Sequence, residues 1–138
     1  MRILIMTQPH KLQRYNTVGD WLTQKSNGEV RIFVSELGSW RFEFLVAVHE
    51  LVEAFQCLHD GVTEESVDAF DKQHVHHDQE PGDSPNAPYQ KQHCLATGVE
   101  RILAACLGVK WQEYEDTLER LIIEREQNDK RGQSLSEA

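Results

Sequence analysis

Hydrophobic and polar positions alternate along residues 29–37 (EVRIFVSEL). Val30, Ile32 and Val34 take one side, and Arg31, Phe33 and Ser35 the other. That two-residue period predicts a strand over about 29–37. A shorter β-type run, RILIMT, predicts a first strand over about 2–7, stopped by Gln8-Pro9. Between them, residues 16–25 carry Val18, Trp21 and Leu22 at helical spacing, and Ser26-Asn27-Gly28 closes the stretch. This predicts a short helix. If the two strands are parallel neighbours, that helix is their right-handed crossover.

Downstream the period changes to that of helices. Gly38-Ser39 opens a helix over about 40–59, with Ser39 as N-cap and Asp60-Gly61 as its end. Thr63 caps a second helix over about 63–72, carrying Val67 and Phe70. Residues 74–88 (HVHHDQEPGDSPNAP) hold three prolines and almost no apolar side chain, the composition of a long loop or flap. A third helix is predicted over about 89–107, ended by Gly108. A fourth, over about 111–128, has Trp111, Tyr114, Leu118, Leu121 and Ile122 on one face. The expected fold class is α+β: a small N-terminal sheet packed by a mostly helical remainder. Residues 1–128 form a single globular domain in this reading, and 129–138 a frayed polar tail.

Composition narrows the class of function. A chain of 138 residues with 27% charged and 39% apolar residues is globular in character. Its net charge of −9 argues against binding a nucleic-acid backbone, which calls for basic patches. Cys57, Cys94 and Cys106 are odd in number and unpaired in spacing, as expected of a reducing, cytoplasmic compartment. No signal-type segment or membrane-spanning stretch is expected.

The chemistry centres on His49-Glu50-Leu51-Val52-Glu53. On a wheel of about 100° per residue, Phe44, Ala47, Val48, Leu51, Val52, Phe55 and Leu58 share an apolar arc. Glu43, His49, Glu50, Glu53, Gln56 and Asp60 share the opposite, polar arc. A polar arc of this kind is also what an ordinary amphipathic helix shows to water. Yet His49 and Glu53 are four apart, so both reach one cation. A zinc site needs a third protein ligand. His93 supplies the best candidate, on the second turn of the helix opened by Pro88-Tyr89. Thr97 and Glu100 follow on its face. Glu100 reads first as a surface residue beside Arg101 and second as a further ligand. His74, His76 and His77, with Asp71 and Asp78 nearby, form a His-rich tract that reads as solvated loop. Cys57 reads as a packed thiol rather than a soft ligand.

HELVE resembles the HExxH helix of zinc metallopeptidases, the zincin type. Glu53 stands where that motif has its second histidine. The resemblance covers one helix and its strand–helix context. It implies His49 as a zinc ligand and Glu50 as the base that activates water; Glu53 carries over as an oxygen ligand. A peptide is the substrate the motif suggests. The pairs Glu50/Glu53 and Glu65/Asp68 resemble the carboxylate signature of all-α nucleoside triphosphate pyrophosphohydrolases, which implies magnesium instead of zinc. This alternative ranks below the zinc reading, because the first third of the chain reads as strands. A third reading is a non-enzymatic acidic module that binds a protein partner through Tyr114, Glu115, Glu119 and the last helix.

Overall fold

The computed structural model describes residues 1–74 and 80–137. Strands β1 (Arg2–Gln8), β2 (Gly19–Gln24) and β3 (Glu29–Ser35) form one sheet in the order β1-β3-β2. β1 runs parallel to β3, and β2 antiparallel to it. Helices α1 (Trp40–Asp60), α2 (Glu64–Gln73), α3 (Gln90–Cys106) and α4 (Trp111–Ser136) follow. The α+β class holds as expected.

The stretch read as a short helix is β2. Gly28 closes back on the carbonyl of Gln24 at 3.0 Å, so Ser26-Asn27-Gly28 is the turn of a hairpin rather than a helix end. Pairing with β3 decided the matter, and a six-residue pattern did not carry that information. β1 and β3 are parallel neighbours, but β2 lies in the chain between them where a crossover helix was expected. α4 also runs to Ser136, through the residues expected to fray. Apart from the exposed Leu135 its last turns are polar, so no apolar period marked them.

The core lies between the sheet and the helices. Val30, Ile32 and Val34 of β3 pack with Trp21 of β2 and with Leu45, Val46 and Ala54 of α1. Thr63 caps α2 as its sequence predicts, accepting from the Ser66 N–H. Ser39 occupies the N-cap of α1 without a side-chain bond. The Glu43 carboxylate instead turns back to the Leu37 N–H at 2.9 Å, which places an acid in the first turn where the helix dipole favours it.

α1 follows its wheel only in part: Ala47 of the apolar arc is buried and Leu51 and Phe55 pack on the core, but His49 and Glu53 of the polar arc are buried as well. The buried side carries His49, Glu53 and Cys57, while Phe44 and Leu58 of the apolar arc are 42% and 49% exposed. α3 does the same. His93, Ala96, Glu100 and Ala104 are buried, while Leu95 and Ile102 face outward. The two helices thus bring their polar stripes against each other. Buried ionisable groups persist only when they are paired or bind a cation. Among the described residues no helix is long and apolar enough to cross a membrane.

Candidate metal centre

The facing stripes of α1 and α3 meet at three side chains. His49 Nε2 lies 3.1 Å from His93 Nδ1 and 3.3 Å from Glu53 Oε2, and His93 Nδ1 lies 3.0 Å from Glu53 Oε2. A tetrahedral ion with ligands at ~2.0–2.1 Å sets neighbouring ligand atoms about 3.3 Å apart. The triangle therefore has the size of one face of such a site. All three residues are buried.

The groups behind the triangle fix its orientation. His49 Nδ1 lies 2.8 Å from Glu100 Oε2, and the Tyr114 hydroxyl donates to the other Glu100 oxygen. His93 Nε2 lies 3.2 Å from both Glu80 Oε2 and Asp83 Oδ1. Trp21 Nε1 donates to Glu53 Oε1 at 3.1 Å. With protons on the outer imidazole nitrogens donated to these carboxylates, His49 and His93 could turn their inner nitrogens to a cation. Carboxylate–histidine pairs of this kind orient ligands and raise their basicity.

Acceptor atoms this close need protons or a cation between them. Burial pushes the His49 imidazole down, but Glu100 and Glu53 outweigh it and hold its pKa well above the usual range. Burial is likewise outweighed at His93, where Glu53 and Glu80 raise the pKa to about 10. Burial pushes Glu53 up, while the two imidazoles hold it down at about 2. The same three atoms could ligate a divalent cation, whose binding would release those protons.

Glu50 stands beside this triangle. Its carboxylate touches Gly19 so closely that a Cβ there would lie 2.4 Å from Oε1. Among the described residues it meets no hydrogen-bond donor. Burial first, and the charge of Glu53 second, raise its pKa well above the ordinary range. Glu50 and the triangle line one cavity of ≈ 410 Å³, walled by the start of β2, by α1, α2 and α4, and by residues 80–83. The α4 wall is tied down by Arg125, whose guanidinium donates to the carbonyls of His10, Gln13 and Tyr15 at 3.1–3.3 Å.

The other candidates stand outside the triangle, though Asp68, Asp71, Glu100 and Tyr114 line the same cavity. Glu65 extends to Lys25 at 2.6 Å, and Asp68 to Arg14 at 3.1 Å. Asp71 accepts from the Tyr89 hydroxyl. His74 stacks on Phe70 with ring centroids 3.9 Å apart; His76, His77 and Asp78 lie outside the described residues. Cys57 is a packed thiol, with burial raising its pKa to about 12. Glu100 is buried against His49 rather than at the surface. Tyr114, read as a partner surface, is buried behind Glu100.

Sequence reasoning missed Glu80, Asp83 and Trp21 as supports, and both glycines that crowd the site. Gly82 is the second of these: a Cβ there would lie 2.4 Å from His93 Cγ. The only local signal for this loop is Glu80-Pro81-Gly82-Asp83, a turn sequence flanked by two acids. No known family, curated protein or solved structure matches the chain.

Proposed function

We propose that this chain is a zinc-dependent hydrolase in which His49, Glu53 and His93 hold the ion and Glu50 is the general base. The observation that carries the proposal is the triangle of inward-facing ligand atoms, 3.0–3.3 Å apart and backed by Glu100, Glu80, Asp83 and Trp21. Two imidazoles and one carboxylate suit Zn²⁺ better than Mg²⁺, which prefers oxygen ligands. The magnesium alternative needs Glu65 and Asp68 at the same ion as Glu50 and Glu53, and both turn instead to Lys25 and Arg14.

Zinc held by His49, Glu53 and His93 would supply Lewis acidity to activate water and polarise a carbonyl. The chain's own residues do the rest. Glu50, with its raised pKa and donorless carboxylate, takes a proton from the attacking water and returns it to the leaving nitrogen as the amide C–N bond breaks. Glu100, held by Tyr114, fixes the His49 ring so that its Nε2 would face the ion. A peptide bond is the substrate that the HELVE resemblance suggests. The three free thiols fit a reducing, cytoplasmic setting.

Glu50→Gln separates the base from the ligands. The variant keeps its zinc and its fold and loses hydrolysis of a peptide-library substrate by ~10²-fold or more. Loss of zinc in Glu50→Gln makes Glu50 a ligand and ends the assignment.

A further inference from the structure

We propose that the cavity over the candidate metal centre takes an alkylammonium group, such as a lysine side chain or a polyamine carries. This rests on the hydrolase proposal only for the identity of the reaction, because the cavity's own walls carry the selectivity.

Among the described residues the cavity is lined by eleven carboxylate side chains and by no lysine or arginine. Their engagements differ. Glu53 and Glu100 hold the histidines. Asp20 and Asp68 share the Arg14 guanidinium, at 2.7 Å and 3.1 Å, so that cation is already neutralised. Asp71 accepts from Tyr89, and Glu80 and Asp83 face the outer nitrogen of His93. Glu115 and Glu119 have no partner among the described residues, and Glu50 has no hydrogen-bond or ion-pair partner there. Glu50 is the telling one, since it lines the cavity half-buried beside the triangle with no donor at hand.

The α4 wall adds an apolar complement. Glu115, Leu118, Glu119 and Ile122 follow at i, i+3, i+4 and i+7, so carboxylates and aliphatic side chains share one helical stripe facing the cavity. Val18 and Val67 add apolar surface on other walls. A hydrocarbon chain ending in an ammonium matches such a wall: the chain covers Leu118 and Ile122 while the charge reaches an unpaired carboxylate. An anionic substrate meets like charge on every side, and even a divalent ion at the centre offsets only two of those charges. The volume, ≈ 410 Å³, is that of a small-molecule or side-chain site.

The test titrates four probes into zinc-free and zinc-loaded protein, by calorimetry and by amide chemical shifts. They are Nα-acetyl-lysinamide, spermidine, Nα-acetyl-norleucinamide and Nα-acetyl-glutamate amide. Norleucine keeps the hydrocarbon chain of lysine without its charge. The lysine derivative or spermidine is expected to bind at least ~10-fold tighter than the norleucine and glutamate probes. The tighter of the two cations names the source of the ammonium. Glu115→Gln/Glu119→Gln weakens that binding several-fold. Equal binding of norleucine, or tighter binding of glutamate, overturns the proposal. So does a response to Mg²⁺ or Ca²⁺ alone with none to either amine. Amine binding without zinc uptake sinks the hydrolase proposal and leaves this one standing. Zinc-dependent hydrolysis of substrates without a cation, with no amine binding, does the reverse.

Discussion

Gly82→Ala is a small change that tests the centre without touching a ligand. A Cβ built at Gly82 falls 2.4 Å from Cγ, 2.6 Å from Nδ1 and 2.9 Å from Cδ2 of His93. Ordinary carbon contacts lie at ≈ 3.5–4.0 Å, so the ring has to retreat by about 1 Å. Its φ is not positive, so alanine meets no backbone strain there and the contact alone is at issue. The ring has little freedom, since Glu53 holds one nitrogen and Glu80 and Asp83 the other. Metal–ligand distances tolerate about 0.2 Å, so a 1 Å retreat removes His93 as a ligand. Weakening of zinc affinity by at least ~10²-fold is expected, the upper end of what loss of a supporting group does. Competition against a chromophoric chelator measures it, with circular dichroism to confirm the fold. Gly98→Ala is the control, on the same helix but with open space at its Cβ. It leaves zinc affinity unchanged and stabilises α3 by ~0.5–1 kcal/mol. A folded Gly82→Ala with zinc affinity within twofold of the parent refutes the placement of His93.

Two further outcomes follow from the surroundings of the site. Glu100→Gln keeps an acceptor for His49 Nδ1 but removes its charge, so zinc affinity falls by ~10–100-fold while the fold survives; unchanged affinity in a chelator competition rejects the orienting role. Burial raises the Asp71 carboxyl to about 7, above its unfolded value of ~3.9, so the wild type loses stability as pH rises through that window. Asp71→Asn is therefore expected to gain about 1–2 kcal/mol over the wild type at pH 8 and to lose that advantage near pH 4, read from urea midpoints; an equal gap at both pH values contradicts the burial of that charge.

The local pattern made α1 and α3 readable, because each is long and marked at both ends. It also made the candidate ligand pair readable, since four-residue spacing on a helix places His49 and Glu53 together whatever lies outside. It did not show which arc of α1 faces inward. A polar arc is normally the wet one, and here its His49 and Glu53 are buried because Glu100, Trp21 and His93 satisfy them from distant positions in the chain. β2 escaped for a related reason: its conformation comes from the ladder to β3, not from six residues of its own. Glu80 and Asp83 sit in a turn-rich segment without period, so nothing local announced that they face His93.

The central claim is that one transition-metal ion sits between α1 and α3. Elemental analysis of the purified protein, free of any histidine tag and dialysed after exposure to equimolar zinc, tests it most directly, with His93→Ala alongside. About one zinc per wild-type chain and almost none in the variant is the predicted result. A wild-type protein that keeps no zinc, or a variant that keeps as much as the wild type, contradicts the account.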